Sequence, residues 1–344
     1  MEGTGGHDRE RGRVSPRGRP EVAIVGAGLM GRWHARYAKA AGGRVVAIVD
    51  PDHARAQDLA RDFRGALVFR DFDDCLMVTS ASVIHVCTDV DHAALADRVL
   101  GAGRHAIVEK PVATSTEEAR RLVDMAGKLR LVLCPVHQFA FQRGFGRMLA
   151  HRDELGEIVR IEGAACTTDG EGLAAPVRRD RLVGIVPHFV SLFRALVGGV
   201  SPVSWHVLAS TSDDLSLVTR VATTQLSLFA SFRGRPPRYE LLVVGTARSA
   251  RLDLFHGHLV WEAGGLSRAA KVAAPFRRSA AGLSMAALNL AGRALRREPA
   301  FPGLRALIGA AYRAVRDGGP PPVPPEEIVE AAELMERIAK SPRT

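Results

Sequence analysis

Gly26-Ala27-Gly28-Leu29-Met30-Gly31 has the spacing G-x-G-x-x-G. The residues before it, Glu21 to Val25, form a short apolar run, and from Leu29 to Ala40 the apolar spacing becomes helical. A glycine turn between a strand and a helix offers backbone N–H groups and the positive end of the helix to a pyrophosphate, with no side chains in the way. Gly26, Gly28, Leu29, Met30 and Gly31 are therefore the candidate cradle for a dinucleotide. Asp50 closes the next apolar run, 19 residues after Gly31. A carboxylate there accepts from both ribose hydroxyls of NAD and repels a 2'-phosphate, which predicts NAD in preference to NADP. The bland alternative for these residues is a tight turn followed by a surface aspartate.

Three further places carry groups able to move or hold a proton. Lys110 precedes Pro111, which biases it toward extended backbone and points it off the carboxyl end of a strand, where open parallel sheets bind ligands. The alternative is a surface lysine paired with Glu109. His188 follows Pro187 at the head of an apolar helical run, Phe189 to Val197, and an imidazole with a pKa near ~6.5 is a natural general base. The alternative is a histidine that caps this helix or packs on Phe189 and Phe193. His137 and Gln138 follow a predicted strand and are candidate donors to a substrate, or simple hydrogen-bonding residues between domains.

The elements that must position these groups read as two textures. Apolar runs at Arg44 to Val49, Ser82 to Cys87, His105 to Val108 and Leu131 to Pro135 alternate with helical stretches, as in crossover units on a parallel sheet. Beyond Gly156, the segments Glu157 to Ala165, Val203 to Ser210, Thr223 to Phe232, Tyr239 to Val244 and Ala250 to Leu254 are strands of alternating or mixed polarity. These suit a mostly antiparallel sheet with one open face. Residues 273–298 and 301–316 read as helices, Thr167 to Gly184 as a loop, and Pro325-Glu326-Glu327 opens a last amphipathic helix to Ile338 with acids in its first turn. The expected class is α/β, a doubly wound Rossmann sheet followed by an α/β domain with a mostly antiparallel open sheet. The expected boundaries are a disordered basic tail over 1–19, a dinucleotide domain over 20–137 and a substrate and oligomerisation domain over 138–344, whose C-terminal helices could pack back on the first domain.

Composition narrows the function. The chain has 344 residues, 47% of them hydrophobic, enough for about two domains with real cores. No run approaches the ~18 apolar residues of a membrane span. The net charge of +10 comes from 42 Arg and five Lys scattered along the chain, with only 6% aromatics, so a nucleic-acid surface is not expected. Four separated cysteines without C-x-x-C spacing suit a reducing cytoplasm, and His85, His92 and His105 lack the paired spacing of metal ligands, so no metal is expected.

Val83-Ile84-His85-Val86-Cys87-Thr88, then His92, then Ala102-Gly103-Arg104-His105-Ala106-Ile107-Val108-Glu109-Lys110-Pro111 closely resemble the Gfo/Idh/MocA family of nicotinamide-dependent oxidoreductases. Weaker echoes are Leu155-Gly156-Glu157-Ile158, Gly245 to Ala250 and Arg316-Asp317-Gly318-Gly319-Pro320. The resemblance implies that Glu109 and Lys110 lie with Thr88 on the cofactor side, that Lys110 touches the reacting hydroxyl or carbonyl, and that Pro111 is often cis. It makes His92 a residue of the fold. It also implies a D-x-G-x-H-like signature, whose histidine is His188, whose acid is replaced by Gly184 and whose second acidic position is Ser191. Asp169 or Asp180 could supply the carboxylate in space.

The expected reaction is reversible hydride transfer between NAD and a secondary alcohol or ketone of a sugar, polyol, sugar nucleotide or similar ring. A lyase or glycosidase using NAD transiently, and a cofactor-binding regulator without turnover, are the alternatives. The resemblance also implies a homodimer or homotetramer. Arg178, Arg179 and Arg181 suggest an anionic group such as phosphate or carboxylate on the small-molecule substrate, with an exposed solvated loop as the equal alternative.

Overall fold

The computed structural model describes residues 18–341 apart from Val90, Val200, Pro202, Val203 and 264–267. The tail expected over 1–19 lies outside the described residues as far as residue 17. The chain divides into two compact units: 1–109 with 121–135 and 308–322, and 110–120 with 136–307 and 323–344.

The first unit alternates strand and helix: β1 (Glu21–Val25), α1 (Leu29–Ala40), β2 (Arg44–Val49), α2 (His53–Ala60), β3 (Leu67–Phe69), α3 (Phe72–Val78), β4 (Val83–Val86), α4 (His92–Gly101), β5 (His105–Val108), α5 (Thr116–Leu129) and β6 (Leu133–Pro135). All neighbouring strands are parallel, in the order β3-β2-β1-β4-β5-β6. Strands β4 and β5 are buried at every residue, as covering on both faces requires. Strand order reverses between β1 and β4, and the glycine turn leaves β1 at that switch point. The expected doubly wound sheet is therefore present. Strand β3 was not read from the sequence, because its three residues, Leu67 exposed and Val68 and Phe69 half-buried, show no usable alternation.

The turn needs its glycines for separate reasons. Gly26 has φ +94°, and a Cβ on it would lie 2.6 Å from the Cys87 carbonyl oxygen. A Cβ on Gly31 would lie 1.8 Å from the Gly26 carbonyl oxygen, so only glycine lets α1 close against the turn.

The second unit holds α6 (Arg143–Ala150), β7 (Ile158–Cys166), α7 (Ala175–Val183), α8 (Val186–Val197), β8 (His206–Ser210), β9 (Asp214–Val221), β10 (Thr224–Ser231), β11 (Arg238–Gly245), β12 (Arg248–Asp253), β13 (His258–Ala263), α9 (Arg268–Leu295) and α11 (Pro325–Lys340). Helix α10 (Leu304–Asp317) begins in this unit and ends in the first. The sheet order is β13-β12-β11-β7-β10-β9-β8, antiparallel except for β7 with β10. This is the expected mostly antiparallel sheet, with β9 and β13 as additional strands. The stretch read as a loop contains α7, which Pro176 opens in its first turn. Helix α8 is buried nearly all round, and Gly163 of β7 leaves room for the Phe189 ring, which a Cβ would meet at 2.5 Å. The hydrophobic core of this unit collects Phe145, Phe189, Phe193, Leu228, Leu241 and Leu334.

Two strand histidines in the first unit are buried. Burial holds the pKa of His85 well below its ordinary value, with His34 adding to the effect, and lowers His105 to about 4. His105 accepts through Nδ1 from the Val132 N–H at 2.9 Å. A depressed histidine stays neutral in the native state while the unfolded chain takes up a proton, so stability falls as pH drops below ~6.5. Each such histidine removes about 1.4 kcal/mol per pH unit within its window, which for His105 ends near its folded pKa of about 4. His105→Asn keeps an acceptor and removes the titration, so its urea-unfolding free energy should fall less steeply between pH 6.5 and about 4 than the wild type's, by about one proton's slope. Identical slopes would show that His105 does not carry this dependence.

Candidate active site

At the glycine turn, a Cβ on Gly28 would meet nothing within 4 Å, so the backbone before α1 has open approach. Helix α1 has no acid in its first turn and no side-chain cap, which leaves its N-terminal N–H groups and positive end for an anion. Asp50 is 6% exposed and sits just past β2. One carboxylate oxygen accepts from the Ala27 N–H at 2.8 Å and the other from the Asp52 N–H at 2.9 Å, which fixes the group against the turn. Arg55 lies 3.9 Å from the same carboxylate. These residues fit a dinucleotide: an open glycine, a helix end for pyrophosphate and a fixed carboxylate with lone pairs left for ribose hydroxyls.

Glu109, directly after β5, is buried, and it anchors a chain of hydrogen bonds that the sequence did not reveal. Its carboxylate accepts from His34 Nε2 at 3.0 Å, the two Nδ1 atoms of His34 and His85 lie 2.9 Å apart, and His85 Nε2 lies 2.8 Å from the Tyr312 hydroxyl. One assignment of protons satisfies every member: Tyr312 donates to His85, His85 to His34, and His34 to Glu109. Burial and His34 keep His85 neutral, and burial also pushes the Tyr312 phenol well above its ordinary value. Cys87 is held as a thiol by burial and by Glu109. Thr88 lies early in the loop after β4, where its carbonyl accepts from His92 Nε2 at 2.7 Å, so His92 serves the local fold.

The second unit begins at Lys110, whose peptide bond to Pro111 is cis. Within this unit the structure gathers Lys110, His137 and His188. His188 on α8 is stacked on Phe139 with ring centroids 4.4 Å apart, and His137 meets it edge-on at 6.4 Å. The expected unshifted imidazole is corrected here: burial, then the charges of Lys110 and His137, press the His188 pKa well below its ordinary value. The cause is physical and simple, since an imidazolium would be dehydrated and face two cation-forming groups. His188 Nδ1 and Gln138 Oε1 are buried without a hydrogen-bond partner.

A carboxylate partner for His137 is Glu327, hydrogen-bonded to its Nδ1 with both side chains almost fully buried. The sequence had placed Glu327 among ordinary first-turn acids of the last helix. Its signal was indistinguishable from that of Glu326, which is 67% exposed. Asp180 lies on α7, where its carbonyl closes that helix on the Gly184 N–H. Arg178 binds the Leu173 carbonyl and Asp213, and Arg179 binds Ser210 and the Ile338 carbonyl, so both guanidinium groups have partners in the fold. Asp253, His256 and His258 meet at the β12–β13 turn with potential metal-ligating atoms within 4.8 Å, a grouping the sequence reading passed over. His256 already donates to Asp253 at 2.8 Å.

Among the described residues, no helix is long and apolar enough to cross a membrane. Residues 21–137 match the model of the Gfo/Idh/MocA oxidoreductase family, NAD-binding Rossmann fold. The chain is 30% identical over 151 residues to an inositol 2-dehydrogenase of Corynebacterium glutamicum, covering 41% of this chain and 44% of that protein. It is 34% identical over 133 residues to a UDP-N-acetylglucosamine 3-dehydrogenase of Acidithiobacillus ferrooxidans, covering 36% of this chain and 42% of the relative. Each match thus spans less than half of the relative's length. In fold, the chain is similar to a levoglucosan dehydrogenase solved with NADH and levoglucosan, with a TM-score of 0.75, 18% identity and coverage of 94% of this chain and 97% of that one. The glycine turn, the fixed aspartate and the Glu-Lys-Pro strand end all lie within the stretch, residues 21–137, that matches the Gfo/Idh/MocA oxidoreductase family.

Proposed function

We propose that this protein is an NAD-dependent dehydrogenase or reductase acting on a secondary alcohol or ketone of a sugar, polyol or sugar nucleotide. The observation that carries the reading is the group of half-buried Lys110 with buried His137 and His188, which leaves His188 Nδ1 and Gln138 Oε1 without partners. Such orphaned atoms cost free energy unless a polar ligand satisfies them, and a ring bearing several hydroxyls is suited to do so. The relatives' names, an inositol and a UDP-sugar dehydrogenase, point to the same substrate class.

The dinucleotide site would be formed by Gly26, Gly28, Leu29, Met30 and Gly31 around the pyrophosphate and Asp50 at the ribose, with Thr88, Glu109 and Lys110 toward the nicotinamide. The nicotinamide supplies the hydride acceptor or donor. Lys110 donates a hydrogen bond to the reacting oxygen and stabilises negative charge as the alcohol gives up its proton. His188, neutral at physiological pH, orients a hydroxyl, and His137 and Gln138 hold the substrate. With Glu327 in the histidine group, the missing acid at position 184 no longer favours a regulator without turnover. A homo-oligomer is proposed through the sheet face that shows Phe229, 41% exposed.

The test is NADH absorbance with NAD and three probes: myo-inositol, methyl α-D-glucoside and UDP-N-acetylglucosamine. Turnover of one and its loss by about 10²-fold or more in Lys110→Ala, with NADH binding within a few-fold of wild type, is expected. Near-wild-type kcat in that variant would return Lys110 to the structural residues. In Asp50→Ser the carboxylate disappears while Arg55 remains, so the NADH-over-NADPH binding preference should narrow by about tenfold or more. Tighter NADPH than NADH binding by the wild type would reject the assignment of Asp50. Because His188 is already neutral, His188→Asn should lower kcat without removing any limb from the pH profile between pH 6 and 8. A wild-type limb near ~6.5 that vanishes in this variant would contradict the depressed pKa.

A further inference from the structure

The two histidines differ in one respect. His137 has a buried carboxylate on Nδ1, whereas His188 Nδ1 has no partner and its imidazolium is disfavoured by burial and by the neighbouring charges of Lys110 and His137. We infer that Glu327 is a positioning residue that makes His137, rather than His188, the proton acceptor for alcohol oxidation. This rests on the dehydrogenase reading above.

Glu327 holds the key position. It is 4% exposed and lies in the first turn of α11, beside the helix's positive end. A buried carboxylate needs donors, and His137 Nδ1–H is the one directed at it. That hydrogen bond fixes the His137 tautomer: the proton sits on Nδ1, and the Nε2 lone pair is left to accept. An imidazolium at His137 forms with its counter-charge in contact. The same imidazolium at His188 would form against Lys110 and His137, with no hydrogen-bond partner on Nδ1 among the described residues. In the reaction the carbinol C–H bond gives its electron pair as hydride to oxidised nicotinamide, and the O–H bond breaks. The hydroxyl proton passes to His137 Nε2, and the Nδ1–H remains on Glu327. The products are ketone, NADH and an imidazolium paired with a carboxylate, so charge and atoms balance. In the reducing direction His137 returns the same proton to the nascent alkoxide.

The acid that the motif lacks at Gly184 is thus supplied from the far end of the sequence, on a different helix and to a different histidine. This explains why the motif looks incomplete while the folded group retains a carboxylate–histidine pair.

The experiment has two arms on the full chain. Nitrogen-15 labelling of histidine, with the His137 signal identified by its loss in His137→Gln, reads the tautomer directly. The expected result is Nδ1–H with unprotonated Nε2 in the wild type and loss of that preference in Glu327→Ala. An Nε2–H tautomer in the wild type overturns the inference, whether or not turnover is found. With whichever of the three probes is turned over, Glu327→Gln should lower kcat by about tenfold or more, leave KM within about threefold and raise the solvent deuterium isotope effect on kcat, while Glu327→Asp recovers part of the rate. A purely structural glutamate would leave the isotope effect unchanged, and that result, or an unaltered kcat, overturns the inference. Absence of turnover with all three probes in the wild type counts against the dehydrogenase reading instead, and the tautomer then decides the role of Glu327.

Discussion

A carboxylate removed from water must be given hydrogen-bond donors or it loses its charge, and among the described residues three carboxylates are buried: Asp50, Glu109 and Glu327. Each is supplied differently. Asp50 takes two backbone N–H groups, one from the glycine turn itself, so the carboxylate is fixed by that turn. Glu109 takes an imidazole N–H from α1, and through it a second histidine and a tyrosine. Glu327 takes His137. Much of the remaining arrangement follows, because donors fixed by buried anions cannot rotate to other partners without leaving a charge unsatisfied.

Glu109 and Lys110 are adjacent in sequence, yet each belongs to a different compact unit and a different hydrogen-bond system. The carboxylate ends the parallel sheet. The lysine begins the unit that contains the two paired histidines. Among the histidines themselves, burial sorts the roles: His85, His105 and His188 are driven toward the neutral form. His137, like His34, is instead hydrogen-bonded to a buried carboxylate.

The sequence made the first unit legible because each element there is diagnosed by local rules. The β1 run, the G-x-G-x-x-G spacing and the α1 periodicity occupy 20 consecutive residues, and Asp50 follows at the end of the next strand. Lys110 was legible for the same reason, since Glu-Lys-Pro follows a strand directly. Glu327 was not. Nothing in Pro325-Glu326-Glu327 distinguishes a solvated first-turn acid from one turned into a buried group, and its partner lies 190 residues earlier. His34 and Tyr312 were hidden for the same reason, the tyrosine meeting His85 across 227 residues. The helix α7 was missed because its nine residues carry three arginines and little apolar periodicity, so it reads as a polar loop.

The central claim, that hydride passes between a ring carbon and the nicotinamide, is tested most directly by isotope transfer. A substrate from the sugar or polyol class, deuterated at the carbinol carbon and incubated with the protein and NAD, should yield NADH one mass unit heavier, with ketone formed in equal amount. Unlabelled NADH from the deuterated substrate, or ketone without reduced cofactor, would contradict the account.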